Sequence, residues 1–151
     1  MKIAIGSDHR GFEAKEKVKT IVRQLGHECI DFGTNDRRPV DYPDVAYKAS
    51  KSLSEDRCNR AILICATGIG MSIAANKLNG VRAALCHDEL GAKISRQHND
   101  ANVLCVSGEQ IDDILLRKVV EVWLDTGFSG GRHLRRIEKI KAIEQNLKGK
   151  I

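Results

Sequence analysis

The sequence predicts an α/β fold in which helices cover both faces of a single doubly wound, five-stranded parallel sheet, with an extra C-terminal helix. Short apolar runs alternate with longer, helically spaced apolar patterns along the chain, which is typical of successive βαβ units. Several runs are continuously apolar, as expected of parallel strands that are buried on both faces. The length of 151 residues suits one hydrophobic core, so we expect a single domain over residues 1–151.

The strands are predicted from short runs of aliphatic residues and cysteine. They cover residues 2–6, 29–32, 61–65, 81–86 and 103–106. Gly6 and Gly33 end the first two runs, which is consistent with a turn after each strand.

The helices are predicted from apolar residues that recur three and four positions apart. They cover residues 12–25, 45–53, a segment near 73–78, 89–97, 111–125 and 134–147. Gly26 is a suitable C-cap for the first helix, and both prolines lie in 34–43, which predicts a loop. Because no strand follows the last helix, it packs either on its own sheet or on a partner subunit.

Composition argues against several classes of protein. Apolar residues make up 42% of the chain and charged residues 30%, which disfavours a disordered or fibrous protein. No apolar run approaches the ~20 residues of a membrane span, and the N-terminus lacks a signal-peptide pattern, so we expect a cytoplasmic protein without a membrane partner. The five cysteines form no C-x-x-C pair, which favours reduced thiols, and no His/Cys spacing indicates a metal site.

The net charge of +5 is concentrated at the C-terminus. The last twenty residues contain seven basic and two acidic residues, whereas the rest of the chain is balanced. We expect residues 132–148 to form a basic helix that packs at a subunit interface. Arg132 and Arg136 share one face of this helix and suit a phosphate group, which a guanidinium binds through paired hydrogen bonds. Aromatic residues are only 4% of the chain, which disfavours nucleic acid as a partner.

Residues 65–72, here called the cysteine loop, join the third predicted strand to a helix. Gly68 and Gly70 allow the backbone to approach a ligand closely, and the first amides of the helix carry partial positive charge. The pattern predicts an anion-binding loop, and a tight turn without a ligand is the alternative. It lacks a Walker A lysine and the third glycine of a dinucleotide fingerprint, and Met71 stands where a cysteine phosphatase has arginine. A helix N-terminus favours the thiolate, which makes Cys65 a candidate base or nucleophile.

Two histidines stand beside predicted strand ends. Asp8 and His9 follow the first strand, and His98 and Asn99 come shortly before the fifth. We expect both pairs to lie at one edge of the sheet, where doubly wound folds bind their ligands. A purely structural role for either histidine is the alternative.

Several separate motifs together resemble one known family, ribose-5-phosphate isomerase type B, over residues 2 to about 145. The motifs occur in the order Gly6-Ser7-Asp8-His9-x-Gly11-Phe12, Asp41-Tyr42-Pro43, Cys65-x-Thr67-Gly68-x-Gly70-x-Ser72-x-Ala74-Ala75-Asn76-Lys77, Ser95-Arg96-Gln97-His98-Asn99-Asp100 and Gly130-Gly131-Arg132-His133. Galactose-6-phosphate and allose-6-phosphate isomerases share this superfamily.

The resemblance implies a pentose phosphate pathway enzyme that interconverts ribose 5-phosphate and ribulose 5-phosphate through an enediolate, without cofactor or metal. It implies that Cys65 is the base, that Thr67 and loop amides steady the enediolate, and that Asp8 and His98 open the sugar ring. The substrate-binding residues that it implies are His9, Tyr42, Ala66, Gly68, Ile69, Gly70, Ser72, Asn99, Arg132, His133 and Arg136. It further implies a homodimer or homotetramer whose active sites draw on two subunits.

Two positions depart from the family pattern. Ala66 replaces the usual glycine after the cysteine, at a cost of about 1 kcal/mol if that position requires a positive φ. Glu109, or Gln110 after a one-residue slip, stands where the family commonly has a phosphate-binding arginine. The alternatives left open are an isomerase of allose 6-phosphate or galactose 6-phosphate, a non-catalytic phosphosugar-binding module, and a carrier phosphorylated on Cys65.

Overall fold

Strands and helices alternate through residues 1–148, which are the residues that this computed structural model describes. The strands in this part of the chain are β1 (Lys2–Ser7), β2 (Glu28–Asp31), β3 (Arg60–Cys65), β4 (Ala83–Leu85) and β5 (Val103–Ser107). The helices are α1 (Phe12–Gln24), α2 (Tyr42–Ser54), α3 (Ile69–Ala75), α4 (Glu89–Asn99), α5 (Asp113–Asp125) and α6 (Arg132–Lys148). The end of the predicted domain, 149–151, lies outside the described residues.

The five strands form one parallel sheet in the order β2-β1-β3-β5-β4. This confirms the predicted fold class. The chain runs outward from β1 to β2 and then returns to place β3 on the other side of β1. The crevice outside the carboxyl ends of β1 and β3 is therefore a topological switch point, where doubly wound sheets bind ligands.

Some predicted boundaries shift for local reasons. The helix predicted from residue 45 begins at Tyr42, because Pro43 fits the first helical turn, where its missing N–H is not needed. The predicted strand 81–86 shortens to β4, since the Val81 amide bonds to the Leu78 carbonyl at 3.2 Å and belongs to the preceding turn.

Alternate side chains along the strands fill two apolar layers. Ile62 and Ile64 face the layer formed with α1, α4 and α5, whereas Leu63 and Cys65 face the layer formed with α2 and α3. This alternation follows from the two-residue period of a strand. Cys65 therefore ends β3 on the face covered by α2 and α3.

Helix α6 covers neither layer. It buries Ile137 and His133, while Leu134, Ile140 and Ile143 remain exposed. No helix within residues 1–148 is both long and apolar enough to cross a membrane.

A buried lysine connects α1 to the end of β2. Lys15 has no exposed surface, and its Nζ donates to Asp31 Oδ2 at 2.5 Å and to Glu16 Oε1 at 2.9 Å. Asp31 Oδ1 accepts from the Gly33 amide at 2.9 Å, and the Gly33 carbonyl accepts from the Ser7 amide at 2.6 Å. This chain of hydrogen bonds joins the buried charge to the carboxyl end of β1.

Replacing Asp31 with Asn is expected to lower the free energy of unfolding at neutral pH by roughly 1.5–3 kcal/mol, because a buried ammonium loses a charged partner. Burial alone would raise the pKa of Asp31, but hydrogen bonds from Lys15 and Lys19 outweigh it and the pKa is lowered. The stabilisation is therefore present above the ordinary carboxylate pKa of about 4 and is lost as the pH falls through the lower, folded value.

Denaturant titrations of wild type and Asp31→Asn at several pH values measure this difference. Asp113→Asn is the control, since Asp113 pairs with Lys17 on the exposed surface and such pairs contribute at most about 1 kcal/mol. A difference for Asp31→Asn that does not shrink in acid would contradict the assignment.

Candidate active site

The cysteine loop folds back onto the thiol of Cys65. The Gly68 amide donates to Cys65 Sγ at 3.1 Å, and the thiol is buried. Gly68 has φ +77°, and a Cβ there would lie 2.6 Å from Leu85 Cδ1 and 2.9 Å from the Val106 carbonyl carbon. Glycine is therefore required for the loop to bring its amide to the sulfur, and an N–H aimed at that sulfur stabilises negative charge on it.

Further hydrogen bonds hold the cysteine loop where it enters α3. The Ile69 amide donates to Thr67 Oγ1 at 3.2 Å, and Ser72 Oγ donates to the Ile69 carbonyl at 2.8 Å. A Cβ on Gly70 would lie 2.7 Å from the ring of Tyr42, so this ring packs directly against the loop backbone. Tyr42 belongs to α2 and is partly exposed, as a side chain that lines an open cleft would be.

Ala66 fits the loop without strain. It lies outside the left-handed region, so the cost considered from the sequence does not arise. Its carbonyl accepts from Ser107 Oγ at 2.5 Å, which ties the cysteine loop to the end of β5.

Asp8 and His9 lie at the same edge of the sheet as Cys65. The Asp8 amide donates to the Ile64 carbonyl at 3.2 Å, and Asp8 Oδ1 accepts from the amides of Arg10 and Gly11 at 3.0 and 2.9 Å. Within residues 1–148 the other carboxylate oxygen of Asp8 has no hydrogen-bond partner. The Val40 amide lies 3.3 Å from His9 Nδ1, an arrangement in which Nε2 carries the proton.

His98 and Asn99 lie at the opposite edge of the sheet, and the expectation of a shared edge is wrong. They end α4, and the chain then enters β5 from its amino end. The neighbouring Asn102 carbonyl accepts from the Ala61 amide at the start of β3, with a distance of 3.0 Å. A residue that precedes a parallel strand lies at its amino end, whereas Cys65 lies at the carboxyl end. One chain therefore does not bring His98 to Cys65.

The His98 edge carries its own cluster, here called the basic cluster: His98, Arg132, His133 and Arg136. The rings of His98 and His133 stack with centroids 4.2 Å apart. Burial lowers the pKa of His133, and the other three members lower it further. Within the described part of the chain no carboxylate pairs with either arginine of the cluster. The cluster therefore has the electrostatic character of an anion site.

Two arginines to which the sequence assigned no role fix the end of α4. Arg82 donates to both the carbonyl and the carboxylate of Asp100, at 2.8 and 2.9 Å, and Arg96 lies 3.0 Å from the other carboxylate oxygen. Asp100 has φ +45° and caps α4. These bonds hold the turn that carries His98 and Asn99.

Glu109 pairs with a residue of the loop that follows β1. Its carboxylate forms two hydrogen bonds with the guanidinium of Arg10.

Among residues 1–148 no three His, Cys, Asp or Glu side chains gather in a way that could hold a metal ion.

Replacing Gly68 with Ala tests the required approach of the cysteine loop. Gly26→Ala is a matched control, because Gly26 has φ +79° with no atom within 4 Å of an added Cβ. The control should cost roughly 1–2 kcal/mol of unfolding free energy from backbone strain. Gly68→Ala should cost a further ~1–3 kcal/mol from overpacking against Val106. Equal losses in denaturant titrations would show that the close contact is unimportant.

Replacing Arg132 with Gln should raise the pKa of His133, since a neighbouring positive charge that lowers it is removed. The proton resonances of His133, followed by NMR as a function of pH, measure the shift. Arg135→Gln is the control, because Arg135 lies on the same helix without contributing to the shift. An equal pKa shift in the two variants would contradict a specific effect of Arg132 on His133.

Comparison with known proteins identifies relatives along nearly the whole chain. The family model described as Ribose/Galactose Isomerase matches residues 3–140. Ribose-5-phosphate isomerase B of Escherichia coli is 42% identical, with 95% of this chain and 97% of that protein covered. D-erythrulose-4-phosphate isomerase of Pectobacterium atrosepticum is 37% identical, with 98% of each covered.

A solved structure of ribose-5-phosphate isomerase B from Clostridium thermocellum has the same fold. Its TM-score is 0.96 at 44% identity, with 97% of this chain and 99% of that chain covered. These matches confirm the resemblance seen in the sequence motifs. The chain therefore belongs to the Ribose/Galactose Isomerase family of enzymes.

Proposed function

We propose that this isomerase interconverts ribose 5-phosphate and ribulose 5-phosphate by cofactor-free proton transfer through an enediolate. The observation that carries the proposal is the buried thiol of Cys65, which receives an amide hydrogen bond at the switch point and lies beside the Asp8 turn. Such a reaction needs a base, donors for a developing oxyanion and a distant phosphate anchor. The described residues supply a candidate for each.

In the proposed reaction the Cys65 thiolate removes the proton from C2 of the open-chain aldose. The electron pair of that C–H bond forms the C1–C2 double bond, and the carbonyl electrons move onto O1. Thr67 and the loop amides donate to the developing negative oxygens. The thiol then returns the proton to C1, and the hydroxyl proton of O2 passes to O1, which gives the ketose. Asp8 and His98 transfer protons when the furanose ring opens.

The two edges of the sheet meet in this proposal through a second copy of the chain. The basic cluster of one copy faces the cysteine loop of the other. In this shared site the phosphate is surrounded by His9, Arg132, His133 and Arg136, and a sugar hydroxyl is held by Asn99. The separation of Cys65 and His98 within one chain supports this arrangement. Exposed apolar side chains lie on both parts, Ile69 and Ile73 on α3 and Leu134 on α6, as is common at interfaces between copies.

The names of the relatives do not identify the preferred sugar. They include an isomerase of ribose 5-phosphate and one of erythrulose 4-phosphate, and allose 6-phosphate and galactose 6-phosphate are further candidates. Incubation of the pure protein with a panel of aldose phosphates, followed by NMR detection of the ketose, identifies the preferred substrate.

Cys65→Ala should abolish isomerisation and leave phosphosugar binding nearly intact, since the phosphate contacts lie elsewhere. A general base supplies about 10²–10⁴-fold in rate, so the variant should retain less than about a hundredth of the activity. Cys105→Ala is the control, because Cys105 is buried on the same face without a place in the proposed mechanism. A phosphorylated Cys65 found by mass spectrometry would favour the carrier instead.

Mixing two inactive variants tests whether the site is shared. Cys65→Ala and His98→Asn should each be inactive alone, whereas a mixed dimer contains one site with both residues intact. After subunit exchange the activity should recover to about a quarter of wild type, because random pairing makes half of the dimers mixed. Absence of recovery, with exchange verified by mass spectrometry, would contradict a site shared between copies.

A further inference from the structure

A small cavity lies between the loops that follow β1 and β5. Its volume is about 260 Å³, and its lining residues are His9, Arg10, Glu13, Arg37, Gly108 and Glu109. The Gly108 amide donates to the Cys65 carbonyl at 2.8 Å, so the cavity adjoins the cysteine loop. Its lining includes His9 and two arginines, each of which pairs with a lining glutamate, Arg10 with Glu109 and Arg37 with Glu13. The guanidinium donors that these pairs leave free suit an anion.

The guanidinium of Arg10 is oriented by Glu109. Arg10 Nε donates to Glu109 Oε1 at 2.6 Å, and Arg10 Nη2 donates to Oε2 at 2.7 Å. Both side chains are about half exposed, at 56% and 43%, and an exposed pair adds little to stability. The main effect of this paired geometry is therefore to fix the direction of the guanidinium.

The pair leaves most of the guanidinium available. Arginine has five N–H donors, and Glu109 takes one from Nε and one from Nη2. Within residues 1–148 the remaining three, two on Nη1 and one on Nη2, have no acceptor. They lie along the end of the guanidinium and form the fork that binds two oxygens of a phosphate.

The backbone of Arg10 is held on the turn that carries Asp8 and His9. Its amide donates to Asp8 Oδ1 at 3.0 Å, and its carbonyl oxygen packs 3.3 Å from where a Cβ on Gly108 would lie. Arg10 therefore lies on a turn that is held to the end of β3, because the Asp8 amide donates to the Ile64 carbonyl.

We propose that Arg10 binds the phosphate of the substrate and helps to determine substrate preference, with Glu109 acting as a positioning residue for its guanidinium. That the bound phosphate belongs to a sugar phosphate rests on the proposed function. Arg10 is the cation that Glu109 holds at this cavity. The carboxylate of Glu109 orients this cation and also repels a phosphate dianion.

The competing explanation is that the Arg10–Glu109 pair only joins the two loops. The direction in which each of two variants changes phosphate affinity separates the two explanations. Arg10→Gln removes the cation and should weaken binding of inorganic phosphate, measured by calorimetry on the full chain, by about 10–100-fold. Its KM for ribose 5-phosphate should rise similarly, while kcat changes by less than about threefold, as for a contact remote from the reacting carbons. Glu109→Gln keeps a side-chain oxygen that can accept from Arg10 Nε, so the guanidinium stays oriented, but it removes a like charge and should instead tighten phosphate binding and lower KM.

Arg57→Gln is a matched control. Arg57 pairs with Glu55 at 2.8 Å with exposed fractions of 54% and 40%, close to those of the Arg10 pair, and it lies just before the amino end of β3. It should leave phosphate binding and KM unchanged. Arg10→Lys keeps the charge without the fork, so it should fall between wild type and Arg10→Gln.

The outcomes distinguish this proposal from the proposed function. If wild type binds inorganic phosphate and Arg10→Gln does not, while no sugar phosphate is isomerised, the phosphate site stands and the proposed function fails. If wild type isomerises ribose 5-phosphate but Arg10→Gln behaves like Arg57→Gln, the proposal for Arg10 is overturned. Losses of the same sign and size in Arg10→Gln and Glu109→Gln would likewise overturn it in favour of a structural pair.

Discussion

The candidate site depends on three backbone segments that pack against one another without intervening side chains. A Cβ on Gly11 would lie 2.7 Å from the Ile64 carbonyl oxygen, and a Cβ on Gly108 would lie 3.1 Å from Gly11 Cα. Gly68 approaches the backbone of Val106 as closely. Because of these contacts the loops after β1, β3 and β5 meet around Cys65, and the thiol is surrounded by amides rather than by flexible side chains.

Local sequence patterns were sufficient for the elements but not for their arrangement. The run 61–65 is apolar throughout because a central parallel strand is buried on both faces in any strand order. The order β2-β1-β3-β5-β4 depends on which strands pair, and no local pattern records that β4 pairs with β5 rather than with β3. Pro43 indicates a loop in isolation, yet it occupies the first turn of α2, where proline is favoured.

Only the part of the site at the carboxyl edge of the sheet was predictable from the sequence. Asp8 and Cys65 follow parallel strands, and residues in that position lie at the carboxyl edge. His98 precedes β5, and the same rule places it at the amino edge, so the prediction of a shared edge fails on geometry. The pairing of Arg10 with Glu109 joins positions 99 apart, and nothing in the local sequence relates them.

In the proposed assembly, the position of the basic cluster at the edge of the sheet opposite Cys65 affects how strongly a phosphate is bound. The arginines of the basic cluster are exposed, and water screens their charge in a single chain. When a second copy and a phosphate group cover them, water leaves and their attraction for the phosphate strengthens. The proposed docking would also cover the cysteine loop, whose Ile69 is exposed in the single chain. Phosphate binding, which is remote from the reacting carbons, would thereby help to exclude water from the enediolate and to position the carbons at Cys65.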